Sequence, residues 1–216
     1  MSEARAEVLG RIRSALGSGA AAPEVPRAYR GPGEAAAGDP VGLFCERVAD
    51  YRATVRRVSE DELPEVVAMA CAERGARRLV TPPGGPAAIP GLELVEDDPP
   101  LSPRQLDAVD GVLTGCALAI AETGTIVLDS GPRSGRRAIT LVPDFHVCVV
   151  EAERVVASVP DAVAAMAEAA REGRPLTLVS GPSATSDIEL DRVEGVHGPR
   201  TLVVVLVSPA TSAPSP

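Results

Sequence analysis

Apolar residues recur at every third or fourth position in several segments of the chain, a spacing that predicts amphipathic helices. In residues 2–16, Val8, Ile12 and Leu16 share one helical face. Each predicted helix begins at Ser or Asp, residues that cap helix N-termini, and most end at a glycine. Four helices are predicted. The first covers residues 2–16 and the last covers residues 158–173. Between them, one helix begins at residues 39–40, and another begins near residues 59–64 and ends at residue 75.

Short apolar runs lie between these helices and predict β-strands. The run 202–207, LVVVLV, is continuously apolar, which is typical of a strand buried on both faces. Because strand and helix patterns alternate, the expected fold is α/β, a layered sheet flanked by helices. Further strands are predicted within residues 77–83, 92–98, 126–128, 138–141, 147–150 and 176–180.

The chain divides into three predicted regions. Residues 1–38 combine the first helix with a linker rich in Ala, Gly and Pro, and this helix is a candidate for docking on a partner or a second copy of the chain. Residues 39–208 form the α/β domain, and residues 209–216 are expected to be a disordered tail. The N-terminus lacks the apolar core of a secretory signal, and no apolar run reaches membrane-spanning length, so we expect a cytoplasmic protein without a membrane span.

The net charge and the cysteine spacing argue against nucleic acids and metal ions as ligands. The net charge of −9 and a pI near 4.8 argue against nucleic acid as the main partner, because phosphate contacts require clustered positive charge. The four cysteines are widely spaced, with no C-x-x-C pair and no histidine at zinc-ligand spacing. We therefore expect buried, reduced thiols and no metal site.

Residues 180–200 concentrate polar side chains between two apolar runs. One interpretation is a loop and helix N-terminus whose backbone N–H groups, with hydroxyls such as those of Ser183 and Thr185, hold a carboxylate or a phosphate. The other is that Ser186 and Glu189 form a capping box and the segment only caps a helix. Since ligands of α/β folds gather beyond the carboxyl ends of strands, we expect this stretch to lie at such an end.

A second polar stretch precedes the strand at 126–128. Glu122 stands beside Thr123 and Thr125, where it can act as a general base, a nucleophile or a ligand-orienting acceptor, or serve as a hydrogen-bonded turn residue. His146 and His197 are more easily explained as structural residues than as catalytic ones, because a histidine without an assigned base or metal partner proves little.

Three blocks of sequence resemble the signature of the LUD-domain family: AIAETGTIVLD, GRRAITLVPDFHVCVV and SGPSATSDIELDRVEGVHGPRTLVVVLV. They lie in family order, and the resemblance covers roughly residues 40 to 208. It implies the fold shared by ribose-phosphate isomerases and CoA transferases. Ala184 departs from the Arg or Lys that often follows SGPS in such proteins, which weakens the case for phosphate. The candidate ligand-binding residues are Glu122, Thr123, Gly124, Thr125, Ser180, Gly181, Ser183, Thr185 and His197.

The resemblance also implies a function. Proteins of this kind are associated with a three-component system that oxidises L-lactate to pyruvate, in which the other two components carry iron–sulfur clusters. We therefore expect an accessory subunit that binds no cofactor itself and works with iron–sulfur lactate-utilisation proteins. The alternatives are an independent acyl- or CoA-transferase with Glu122 as the catalytic residue, and a small-molecule sensor. If the candidate residues line one pocket, the two polar stretches must meet in space. The sequence leaves open whether the chain assembles into a homo-oligomer.

Overall fold

A computed structural model describes residues 3–17, 24–35, 38–86, 88–186, 192–194 and 197–209. The chain divides into two compact units, Met1–Arg30 and Gly31–Pro216. In the first unit, the predicted helix forms at Glu3–Leu16 (α1) and buries none of its side chains. The second unit holds the other described helices: α2 (Pro40–Asp50), α3 (Leu63–Ala72), α4 (Pro103–Asp107), α5 (Val159–Ala165) and α6 (Ala167–Arg171).

Local capping explains where several helices begin. The Asp39 carboxylate accepts hydrogen bonds of 3.0 Å from the Val41 and Gly42 amides at the start of α2. Ser158 and Asp161 form the reciprocal capping box of α5. The third helix begins later than its capping pattern suggests, at Leu63, because the Glu62 carboxylate is bonded to the Ser59 amide and hydroxyl before the helix starts.

The strands of the described residues form three sheets. The main sheet is six-stranded and parallel, in the order β1-β12-β7-β4-β2-β3. A second, four-stranded sheet has the order β8-β5-β6-β9, and β10 pairs with β11 in a short antiparallel hairpin. The strands are β1 (Thr54–Ser59), β2 (Arg78–Thr81), β3 (Glu93–Glu96), β4 (Gly111–Thr114), β5 (Leu118–Ile120), β6 (Thr125–Leu128), β7 (Phe145–Glu151), β8 (Val155–Val156), β9 (Thr177–Val179), β10 (Ala184–Ser186), β11 (Arg192–Glu194) and β12 (Thr201–Ser208).

The strand order creates a topological switch point between β2 and β4. The chain leaves β2 for β3 at one edge of the sheet, whereas it returns from β4 to β7 on the other side. Connections that diverge in this way leave a crevice at the carboxyl ends of the two strands.

Alternate side chains of β12 point to opposite faces of the main sheet, as a strand requires. Val203, Val205 and Val207 pack in one core cluster with residues of α3. On the other face, β12 packs with α2 and with one face of the second sheet. The opposite face of the second sheet packs with α5. The second unit is therefore layered, which confirms the α/β prediction and the burial of β12 on both faces.

The turn before β6 is fixed by its contact with α2. Gly124 has a φ of +58°, and a Cβ at this position would lie 2.7 Å from the backbone carbon of Arg47 and the backbone nitrogen of Val48. Only glycine tolerates both this backbone conformation and this close approach. Gly124 therefore has a packing role, and its predicted ligand contact stays a prediction.

Three predictions about secondary structure are wrong. Residues 138–140 of the expected strand at 138–141 belong instead to a 3₁₀ helix, Arg137–Thr140, which buries Ile139 and Thr140. A short apolar run does not distinguish the two structures. The helix predicted over 158–173 is broken at Met166 into α5 and α6. Residues 184–186 form a hairpin strand rather than a loop leading to a helix N-terminus, while Glu189 of the expected capping box lies outside the described residues.

The position predicted for residues 180–200 is confirmed in part, because residues 180–186 follow the carboxyl end of β9. However, β9 belongs to the second sheet rather than the main one, and residues 197–200 lead into the amino end of β12. Of the expected tail, only Pro209 lies within the described residues. No helix in the described ranges is both long and apolar enough to cross a bilayer.

Candidate functional site

A cavity of about 220 Å³ lies at the amino ends of β7 and β12; we call it the amino-edge pocket. His146 and Leu202, which are paired across the two strands, are part of its wall. Of the predicted ligand-binding residues, Ser180, Gly181, Ser183 and His197 line this pocket. Its other lining residues are Thr140, Leu141, Thr177, Leu178, Val179, Pro182, Gly198 and Pro199.

Two hydrogen bonds hold opposite walls of the amino-edge pocket together. The Ser183 amide donates to the Pro199 carbonyl at 2.7 Å, and the His197 amide donates to the Ser183 hydroxyl oxygen at 3.0 Å. The Ser183 hydroxyl can still donate its own hydrogen. The two segments on either side of the β10–β11 hairpin therefore form one unit at the pocket.

Gly181 fixes the wall after β9. Its φ is +93°, and a Cβ would lie 2.7 Å from the Tyr51 Cβ and 2.8 Å from the Tyr51 carbonyl oxygen. Close contact with the residue that follows α2 therefore requires glycine here. This backbone requirement explains Gly181 without a ligand contact.

The two polar stretches meet through a row of hydroxyl groups. The Thr125 hydroxyl lies 2.8 Å from that of Thr123 and 2.7 Å from that of Ser180, which is 55 positions further along the chain. Ser180 lines the amino-edge pocket, whereas both threonines stand behind it and are not among the lining residues. Thr123 and Thr125 thus orient Ser180 rather than face the pocket.

Glu122 lies apart from these groups. Its carboxylate accepts a 2.7 Å hydrogen bond from the Val159 amide at the start of α5. This contact gives Glu122 a structural role as an acceptor for the α5 N-terminus, one of the alternatives that the sequence left open. The strand that contains Thr185 is described, but its side chain lies outside the described residues.

Sequence reasoning set His146 aside, yet both histidines of the chain line the amino-edge pocket. His146 is 2% exposed, and its Nε2 lies 2.8 Å from the Thr114 hydroxyl oxygen. The only sequence signal was a polar residue inside a buried apolar strand. A buried imidazole requires a hydrogen-bond partner, which the neighbouring strand β4 supplies.

A buried thiol pair lies behind His146. Cys116 and Cys148 belong to the same core cluster, and all four cysteines are free, with Cys45 only half-buried. The contact with Cys116 lowers the pKa of the Cys148 thiol because it stabilises the thiolate. The same contact, together with burial, raises the pKa of Cys116. The prediction of free, buried cysteines is confirmed for three of the four.

The open polar groups of the amino-edge pocket suit a small acid. Ser180 and His197 are exposed and Ser183 is half-buried, so hydroxyl and imidazole groups are available to hydrogen-bond a carboxylate. Among the described residues, no three His, Cys, Asp or Glu side chains are grouped as a metal site requires.

Comparisons of sequence with known proteins agree on one family. A model of the LUD domain matches residues 102–207, which include every residue that lines the amino-edge pocket. The chain is 48% identical to lactate utilization protein C of Deinococcus radiodurans over 207 residues, 95% of this chain and 96% of that protein. It is 32% identical to lactate utilization protein C of Geobacillus kaustophilus over 118 residues, 51% of this chain and 49% of that protein.

A solved structure agrees with this result. The crystal structure of a DUF162 family protein from Deinococcus radiodurans superposes with a TM-score of 0.68 at 44% sequence identity, and the match covers 78% of this chain and 96% of that one. The similarity in sequence therefore extends to the layered α/β fold. On a match of 48% identity along almost the whole chain, this protein belongs to the LUD-domain family.

Proposed function

We propose that this chain is an accessory subunit of a lactate-utilisation system, and that it holds a small carboxylate, lactate or pyruvate, in the amino-edge pocket. The observation that carries the proposal is the 48% identity, along nearly the whole chain, to a protein named lactate utilization protein C. The pocket is consistent with it, since hydroxyl and imidazole groups surround a cavity of about 220 Å³.

The chemistry is divided between this chain and its partners. Oxidation of L-lactate to pyruvate releases two electrons and two protons, and side chains alone do not accept electron pairs in this way. The proposal assigns the electrons to iron–sulfur clusters on partner proteins. The Ser183 hydroxyl and the His197 ring bind and orient the carboxylate, and Thr125 keeps Ser180 in place through their 2.7 Å contact.

Reconstitution of lactate oxidation from purified iron–sulfur partners tests the proposal. Omission of this chain is expected to reduce pyruvate formation to background. The variants Ser183→Ala and His197→Ala each remove a polar group from the pocket and are expected to reduce the rate on the order of tenfold, as one lost hydrogen bond to a charged group does. Arg200→Gln is the matched control, because Arg200 is exposed, pairs with the exposed Asp144 and does not line the pocket.

Two results would overturn the proposal. If the partners form pyruvate at the full rate without this chain, it is not a required subunit. If this chain alone oxidises lactate with an artificial electron acceptor, it is an independent enzyme. If both pocket variants form pyruvate at the unmodified rate, the amino-edge pocket does not hold the carboxylate. The omission experiment then still tests the role as a subunit.

A further inference from the structure

A second, larger cavity of about 630 Å³ opens at the opposite end of the main sheet; we call it the carboxyl-edge cavity. The loop 82–86 after β2 and residues 114–115 at the end of β4 form two of its walls. These are the two strands that flank the topological switch point, the place where ligands of open α/β sheets bind. The cavity therefore lies where the fold itself creates a binding crevice.

The interior of the carboxyl-edge cavity is mainly apolar. One side is formed by α3 and the face of the main sheet that packs against it, and the other by the Pro- and Gly-rich loop 82–86. Such walls bind hydrocarbon rather than a small hydrophilic acid. The apolar residues that line it are Leu63, Val67, Ile89, Leu113 and Val149, together with Pro82, Pro83, Pro86 and Pro132.

Arg133 is the one charged residue in the cavity wall among the described residues. It is held there by the loop after β6 and forms an ion pair with Glu151, which also pairs with Arg154 at 2.7 Å. One carboxylate thus serves two guanidinium groups, which leaves this cluster with one net positive charge. The exposed acid Glu96 accepts from the Gly84 amide at 3.3 Å and does not line the cavity.

The pair between Arg133 and Glu151 is easily exchanged. Both side chains are more than two-fifths exposed, and exposed ion pairs contribute only about 0–1 kcal/mol. A ligand carboxylate can therefore take the place of Glu151 on Arg133, while Glu151 remains paired with Arg154. Guanidinium groups bind carboxylates in a fixed two-pronged geometry, which favours this exchange.

We infer that the carboxyl-edge cavity binds a monocarboxylate with an apolar tail, its carboxylate on Arg133 and its tail against the side chains of α3 and the sheet. A single net positive charge matches a monoanion better than a dianionic phosphate, in a chain whose net charge is already −9. This site goes beyond the proposed function, because it lies at the other end of the sheet and takes a different class of ligand.

Octanoate is the probe that tests this inference, with the full-length chain labelled at the isoleucine methyl groups. Titration is expected to shift the NMR signal of Ile89, which lines the cavity, and to leave that of Ile120, in the core between the second sheet and α5, unchanged. Arg133→Gln is expected to weaken octanoate binding on the order of tenfold. The matched control is Arg137→Gln, an exposed arginine four residues further along that does not line the cavity.

Two further ligands separate the contributions of head and tail. Octanamide keeps the tail without the charge and is expected to bind Arg133→Gln and the unmodified chain equally weakly. Acetate keeps the charge without the tail and is expected not to shift Ile89. Octanoate that binds Arg133→Gln as tightly as the unmodified chain, or octanamide that binds as tightly as octanoate, would overturn the inference, and so would octanoate that leaves the Ile89 signal unchanged. None of these measurements depends on lactate oxidation.

Discussion

The amino-edge pocket and the carboxyl-edge cavity lie at opposite ends of the main parallel sheet and differ in how their walls are held. The walls of the amino-edge pocket are cross-linked by hydrogen bonds, and Gly181 is in close contact with Tyr51. The carboxyl-edge cavity is closed by the loop 82–86, where a Cβ on Gly84 would meet no atom within 4 Å. The first wall is fixed by its neighbours, whereas this part of the second has free space around it.

The two cavities also differ in polarity. The wall of the amino-edge pocket combines hydroxyl and imidazole groups with aliphatic side chains, whereas the wall of the carboxyl-edge cavity is mainly aliphatic and contains Arg133 and the hydroxyl of Thr114. Hydrogen bonds depend on direction, so they require a wall whose position is fixed by backbone contacts. Apolar contacts do not depend on direction, so they form equally well against a less constrained wall. One sheet can therefore provide two cavities that suit different classes of ligand.

Substitution of the two pocket glycines gives the largest expected contrast. Gly181→Ala combines left-handed backbone strain with overpacking against Tyr51, so it should lower the free energy of unfolding by about 2–5 kcal/mol. Gly84→Ala has a φ of +73° but open space, and should lower it by only about 1–2 kcal/mol. Urea unfolding curves measure both values. Equal losses would show that the two walls are equally constrained.

The hydrogen bond between Thr114 and His146 connects the two regions, because Thr114 lines the carboxyl-edge cavity and His146 the amino-edge pocket. Thr114→Val keeps the volume but leaves the buried imidazole without this partner, which should cost about 1–3 kcal/mol of unfolding free energy. The control Thr177→Val changes a half-buried threonine of the amino-edge pocket and should cost about 0.5 kcal/mol or less. If Thr114→Val leaves the free energy of unfolding unchanged, the His146 ring has another hydrogen-bond partner. The NMR signals of the ring would then be the same in the variant and in the unmodified chain.

Acid should weaken the loop that carries Arg133 into the carboxyl-edge cavity. Burial alone would raise the pKa of Asp129, but hydrogen bonds from Gly131 and Ser134 and the charge of Arg174 outweigh it, so the pKa lies below its ordinary 3.8. A carboxyl group with a lowered folded pKa stabilises the fold above its unfolded pKa, and this stabilisation is lost as the pH falls through the folded value.

Unfolding free energies between pH 6 and pH 3 measure this effect. Asp129→Asn should be less stable than the unmodified chain at pH 6, and the difference should shrink as the pH falls below 3.8. Asp144→Asn, which changes an exposed acid beside the amino-edge pocket, should alter stability by at most about 1 kcal/mol at any pH. A difference for Asp129→Asn that is constant with pH would contradict the role assigned to this carboxylate.

The sequence by itself determined the elements whose signals are local. The caps at Asp39 and Ser158 appear where the sequence predicts them, because these interactions connect residues two or three positions apart. The buried strand β12 was equally clear, since a continuous apolar run in a chain of alternating elements must lie inside a parallel sheet. The family signature likewise marked Ser180, Ser183 and His197, which line the amino-edge pocket.

Only the tertiary structure decided which end of the sheet each segment reaches. Residues 180–186 follow the carboxyl end of β9, as expected, but β9 joins the second sheet rather than the main one. They therefore meet residues 197–199 at the amino end of β12. Likewise, the carboxylate of Glu122 reaches the Val159 amide, and the hydroxyl of Thr114 reaches His146. Contacts across 32 or 37 positions depend on strand order and register, and short-range periodicity contains no information about either.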